Sequence, residues 1–286
     1  MNAIYYVMDV LLPFPFLSFQ FMKNALLAIL LLTPLLALMG TMAVNQRMAF
    51  FSDALGHSAL TGIGLGILIH LHSDLVAMLL FGILWALLIS RIKQTGTTSV
   101  DTIISVFSST SIALGLVILS RGGGFAKYSS LLIGDVLAVS PQDLIWLLLA
   151  LVFGTAAWVL LYNRLLLVSV NASLARSRGI RVNLTEYAFV ILVAVAVMLS
   201  IRWVGVLLIN ALLILPAAAG RNLARSARGH ALFSVLIAML SGVLGLILSF
   251  YWNTSAGAAI VLCAALFYGL SLLILYTRRS MDRKKQ

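Results

Sequence analysis

Two residues able to hold a metal ion or a proton sit where ionisable side chains are scarce. Residues 47–66 read RMAFFSDALGHSALTGIGLG, and Asp53 and His57 lie inside this otherwise apolar run. They are spaced i, i+4, so a helix places both side chains on one face, a turn apart. A helix starting near Arg47 puts Asp53 roughly 9 Å and His57 roughly 15 Å along its axis. In a hydrocarbon layer about 30 Å thick that is close to mid-depth. An ionisable pair at such depth is costly and points to an ion path or a metal site. The bland alternative is a satisfied polar pair that joins two helices. Imidazole nitrogen with carboxylate oxygen suits zinc and manganese alike, so ligand type does not choose between them.

The elements that must position this pair follow from composition. The 286 residues are 62% hydrophobic and 9% charged, against about 25% charged in soluble domains. The sequence therefore predicts an all-α polytopic membrane helix bundle forming one transmembrane domain over 1–286. The net charge of +11 does not indicate nucleic acid, because the basic residues fall in short clusters between apolar runs. Cys263 is the single cysteine and reads as an inert thiol in an apolar run. A basic n-region and an A-x-A cleavage pattern are both missing at the N-terminus, so the first membrane helix is expected to act as its own signal.

About nine spans are expected, over 24–44, 48–69, 75–90, 101–119, 144–162, 184–200, 203–220, 231–250 and 256–276. Residues 1–23, broken by Pro13 and Pro15, read as an interfacial segment. An apolar piece at 131–139 is too short to span and reads as re-entrant or interfacial. Residues 278–286 form a basic tail. Of the 19 Lys and Arg residues, only Lys23, Arg121, Lys127 and Arg202 fall in connections of one parity. All the others share the opposite side, which places the N-terminus outside and the C-terminus in the cytoplasm.

Other polar residues carry paired readings. Asp101 opens the fourth span, either as a carboxylate favoured by the helix macrodipole or as an exit ligand for an ion. Asp135 either guides ions or caps a short helix. His70, His72 and Asp74 form a polar turn that could meet a metal at the outer mouth or simply be solvated. His230 reads as structural. Asn210 and Pro216 share one span, where proline loosens the helix ladder and offers either a hinge or a tolerated kink with Asn210 bonded across helices. Gly62 and Gly66 fit small-xxx-small helix packing. Loop 171–181 is either ordinary positive-inside charge or a docking element. No Walker A motif G-x-x-x-x-G-K-[ST] occurs, so any ATP-driven role needs a separate ATPase. HExxH, GxGD and GxSxG are also missing, which argues against an intramembrane hydrolase.

Five segments together resemble the membrane subunits of ATP-binding-cassette importers for zinc and manganese. They are FSDALGHSALTGIGLG (51–66), SVDTIISVFSSTSIALGLVILS (99–120), LLIGDVLAVSPQDL (131–144), NASLARSRGI (171–180) and IRWVGVLLINALLILPAAAGRNLAR (201–225). The resemblance implies a homodimeric permease, with no enzyme activity of its own, in the cytoplasmic (inner) membrane of a prokaryote. It implies two cytoplasmic ATPase subunits, an extracytoplasmic metal-binding protein, surrounding membrane lipid and no nucleic-acid partner. Zn2+ or Mn2+ would be cargo rather than a resident cofactor, with Asp53 and His57 lining its path. The family's docking loop commonly carries an acidic-Ala-Gly pattern. Ala175 and Gly179 keep the small residues, while Arg176, Arg178 and Arg181 make this loop basic. Two other readings stand beside it: a proton-coupled secondary carrier of divalent metals, and a permease for a chelated-metal or cobalamin-like cargo.

Overall fold

The computed structural model describes residues 5, 8, 14–96, 98–121 and 134–283. Residues 1–4, 6, 7 and 9–13 of the N-terminal segment, Pro13 among them, lie outside the described residues, as do 131–133 of the short apolar piece and the last three residues of the tail. Among the described residues the regular structure is helical. After a 3-10 turn at Pro15–Ser18 come α1 (Gln20–Asn45), α2 (Phe51–Leu68), α3 (Asp74–Lys93), α4 (Val100–Arg121), a second 3-10 turn at Val136–Ala138, α5 (Pro141–Val170), α6 (Ala172–Ser177), α7 (Val182–Leu223), α8 (Ala227–Trp252) and α9 (Ala256–Arg283).

Seven of these helices are long and apolar enough to cross a membrane. The nine expected spans exceed these seven for two reasons. Spans six and seven are two helices that meet at a kink at Gly205 (φ 79°, ψ 163°) within the 42-residue α7. Unbroken, it would run about 63 Å, twice the hydrocarbon thickness. The second expected span is α2, where Ser52, Asp53, His57, Ser58 and Thr61 dilute the apolar character of an 18-residue helix.

The chain forms two compact units, neither contiguous in sequence; one comprises 1–41, 135–152 and 211–286, the other 42–134 and 153–210. In the first, α8 packs on α9, and the Gly242 backbone faces Ile29 and Thr33 of α1. Buried Asn24 donates to the Val139 carbonyl (3.1 Å) and accepts from the Tyr5 hydroxyl (2.6 Å). His230 is buried, and its Nε2 lies 2.9 Å from the Ala217 carbonyl oxygen, which fits the structural reading of that residue. Asp135 is exposed and accepts from the Leu137 amide (3.0 Å), so it caps the 3-10 turn.

In the second unit α2 packs against both α3 and α4. Gly62 lets α2 approach the α3 backbone: a Cβ there would lie 3.0 Å from the Ala77 oxygen and the Met78 Cα, and Gly66 one turn on also faces Ala77. This is the close packing its small-residue spacing predicts. Trp85 of α3 bonds the Phe107 carbonyl (3.3 Å) and stacks on Phe81. Where α3 meets α7, Lys93 Nζ lies 3.4 Å from Glu186 Oε1, both side chains largely buried. Gln94 donates to the other Glu186 oxygen (3.3 Å) and accepts from Tyr187 (3.2 Å).

Candidate metal path

The helix that carries the ionisable pair starts later than its sequence suggests. Arg47 takes a left-handed conformation (φ 57°), and the Met48 amide turns back to the Ala43 carbonyl (2.8 Å). This ends α1 and delays α2 to Phe51. Asp53 therefore stands in the first turn of α2, not a third of the way along a span. The site is half-enclosed, the His57 and Asp53 side chains being 24% and 41% exposed. Gln46, Met48 and Phe51 around the turn are all buried, as irregular backbone must be at membrane depth. The helix N-terminus also favours the Asp53 carboxylate.

His57 Nε2 lies 3.5 Å from Asp53 Oδ1. Two further residues complete the cluster. Asn210 Nδ2 of α7 donates to Asp53 Oδ1 at 2.9 Å, and Ser108 Oγ of α4 donates to Asp53 Oδ2 at 3.3 Å. Ser108 lies about 12 Å along α4, well inside the bundle. The Asn210 Oδ1 atom is buried without a hydrogen-bond partner. Gly56, one residue before His57, sits against Val206 of α7, where a Cβ would collide with the valine methyl groups. That close approach holds α7 near enough for Asn210 to reach Asp53.

Asp53 and Asn210 are thus joined, Asn210 bonding across helices as one of its two readings expects, with Asp53 as the partner the sequence does not name. Ser108 is missed by sequence reasoning, since nothing marks one serine among the many of α4. Asp101 does not join the cluster: it is exposed in the first turn of α4, after Ser99, whose hydroxyl accepts from the Thr102 amide (3.2 Å). It lies seven residues before Ser108, on the same helix face about 10 Å away. His70 and His72 are exposed, and among the described residues no three His, Cys, Asp or Glu side chains converge. The break in α7 falls at Gly205; Pro216 lies in the continuous stretch beyond it. The Gly134 backbone, itself at φ 71°, abuts the Val204 carbonyl at that break.

Around loop 171–181, α5 continues as helix to Val170 instead of ending at 162. The short α6 follows. Asn171 caps it, accepting from the Leu174 amide (3.0 Å). Gly179 (φ 77°) closes it, with the Ile180 amide reaching the Ala175 carbonyl (3.0 Å), a glycine-dependent helix stop. Ala175 is fully buried against Val168 and Val182, so it seats α6, whereas Leu174, Arg176 and Ser177 are exposed.

A carboxylate, an imidazole, an amide and a hydroxyl gathered inside a bundle of membrane-length helices define a polytopic protein with an internal polar site. The chain belongs to the ABC 3 transport family, whose model matches residues 18–275. It is accordingly a multi-pass transport subunit and not itself an enzyme. It is 31% identical to the high-affinity zinc uptake system membrane protein ZnuB of Haemophilus influenzae, over 89% of this chain and 97% of that one. It is 30% identical to the manganese import system permease protein ScaB of Streptococcus gordonii, over 93% and 96% of the two chains. Its fold matches a chain of the structure of PsaBC from Streptococcus pneumoniae in complex with Fab, with a TM-score of 0.80, 27% identity and coverage of 99% and 100%.

Proposed function

We propose that the chain is the permease of an ATP-binding-cassette importer for divalent transition-metal ions, zinc or manganese. The observation that carries this reading is the grouping of Asp53, His57 and Asn210 inside the helical unit. Asp53 supplies the charge that offsets desolvation of a dication. His57 supplies a nitrogen ligand. Asn210 donates to Asp53; a half-turn of its amide would present the unpartnered Oδ1 to an ion instead. The hydrogen bonds the carboxylate gives up on binding then keep the ion loosely held, as conduction requires. Asp101, two turns from Ser108 on the same face, serves as an exit ligand or as a carboxylate at the helix start.

Two permease copies would work with two cytoplasmic ATPase subunits and an extracytoplasmic metal-binding protein, in the inner membrane of a prokaryote. The N-terminus would lie outside and the C-terminus in the cytoplasm, which the distribution of Lys and Arg supports. Loop residues Ala175, Arg176 and Gly179 would form the ATPase-coupling element, Ala175 and Gly179 shaping α6 and Arg176 meeting the partner. The flexible stretch of α7 would run from Gly205 past Asn210 to Pro216.

The test is ion uptake in cells lacking their own importers, with and without the ATPase, offering zinc and manganese separately. Uptake of one ion that requires the ATPase is the expected outcome, and Asp53→Ala should reduce it to background while the complex still assembles. Uptake without any ATPase would favour a proton-coupled carrier. Uptake of chelate in preference to free ion would favour the chelated-metal reading.

A further inference from the structure

A hollow of about 680 Å³ lies where α5, the end of α6 and α7 meet, lined by Leu161, Arg164, Arg178, Arg181, Leu184 and Thr185 among others. An adjoining hollow of about 520 Å³ shares Arg164 and Arg178. We infer that this basic hollow binds the headgroup of an anionic phospholipid.

The argument begins with charge. Among the described residues, no carboxylate lies within ion-pair distance of Arg164, Arg178 or Arg181, and the nearby Glu186 is engaged by Lys93 and Gln94. Three like charges around one cavity repel each other unless an anion sits between them. Guanidinium groups present paired donors that match phosphate oxygens. Shape selects among anions. The wall away from the loop is apolar, made by Leu161 and Leu184, and Leu184 is 60% exposed. Leu160, just outside, is 78% exposed. These leucines belong to helices that are apolar along their length, so acyl chains find cover beside the same cavity that takes the phosphate. Basic hollows between membrane helices on the cytoplasmic side are suited to such headgroups.

Other occupants fit less well. A partner protein docking on α6 would meet its exposed Leu174, Arg176 and Ser177, which do not line the hollow. A second copy placed symmetrically here would bring the same arginines against one another.

The experiment is native mass spectrometry of the purified full-length chain after exchange into lipid nanodiscs holding phosphatidylcholine and phosphatidylglycerol in equal parts. The wild type should retain phosphatidylglycerol selectively. Replacing Arg164, Arg178 and Arg181 together by Ala should lower that retention about a hundredfold, with phosphatidylcholine retention unchanged. The three Arg→Lys changes should keep most of it, and Arg176→Ala all of it. Should the triple variant fail to accumulate, the exposed Arg178→Ala alone should cost about fivefold, and Leu184→Ser should weaken lipid retention without removing charge. Wild-type retention by the arginine variants overturns the inference. So does equal retention of glycerol phosphate, which has the phosphate without the chains. The readout needs no transport and is independent of which ion is carried.

Discussion

Asn210 carries a donor and an acceptor on one carbon, and only the donor is used. Its Nδ2 serves Asp53, while its Oδ1 is buried and unpaired. Leaving such an acceptor empty costs about 1–3 kcal/mol, so the arrangement is not the most stable one available. It suits a site that exchanges a hydrogen bond for cargo. Asn210→Ala should raise the half-saturating ion concentration about 10–100-fold, the range for groups that orient or complete a metal shell. Asn210→Asp should do the opposite at low ion while lowering the maximal rate, because a second carboxylate slows release. Uptake kinetics over a range of ion concentration separates the two. Ser108→Ala, at the weaker 3.3 Å contact, should cost less than Asn210→Ala in the same assay. Asp53 and His57 are legible in the sequence because their spacing is local and their types are rare in apolar runs. Ser108 and Asn210 reach Asp53 across 55 and 157 residues of chain. No periodicity records such a meeting: the sequence marks Asn210 as a polar residue in a membrane span that can bond across helices, but not the residue it meets.

At the level of elements, α7 turns on Gly205. Its φ of 79° with ψ of 163° is a conformation essentially confined to glycine. Any other residue there strains the break, and a methyl group added at Gly134 would collide with the Val204 carbonyl on its far side. Gly205→Ala should therefore shift the register of the segment that follows and draw Asn210 off Asp53. The expected result is loss of uptake about as deep as in Asn210→Ala, with a reduced melting temperature of the purified protein. Gly134→Ala should lower the melting temperature in the same way. The apolar runs locate nearly every helix, because burial in lipid demands continuous hydrophobicity. They place this break between 200 and 203, within a few residues of Gly205, but do not single out the glycine, since IRWVGVLLIN resembles any glycine-containing membrane helix. The partner that accommodates it, Gly134, is some 70 residues earlier in the chain. The late start of α2 was hidden for a related reason: Arg47 and Met48 look like the beginning of a helix, but their backbone completes the end of α1.

For the molecule as a whole, the alternation of charge across its connections supports the proposed topology. In a Cys263→Ala background, His72→Cys should react with an impermeant thiol reagent in intact cells, and Ser173→Cys only after the membrane is opened. The reverse pattern would invert the proposed orientation. Arg176 is exposed on α6, whereas Ala175 beside it is buried. Arg176→Glu should leave ion binding near wild type but lower transport-coupled ATP hydrolysis about tenfold, the effect expected when a like charge is set against an acidic partner surface. Composition alone shows a membrane bundle, but the gathering of its helices into two discontinuous units depends on which faces meet, and amphipathic patterning is weak when lipid is as apolar as the core. The Lys93–Glu186 bridge adds a constraint on biosynthesis. Glu186 is the single glutamate in the chain, and it is synthesised 93 residues after its lysine. A nascent chain that has inserted α3 must hold Lys93 without this counter-charge until α7 emerges. The C-terminal end of α3 is consequently fastened late, and a chain arrested before Val182 should remain open to proteases at residues 94–99 after its first four helices have entered the membrane.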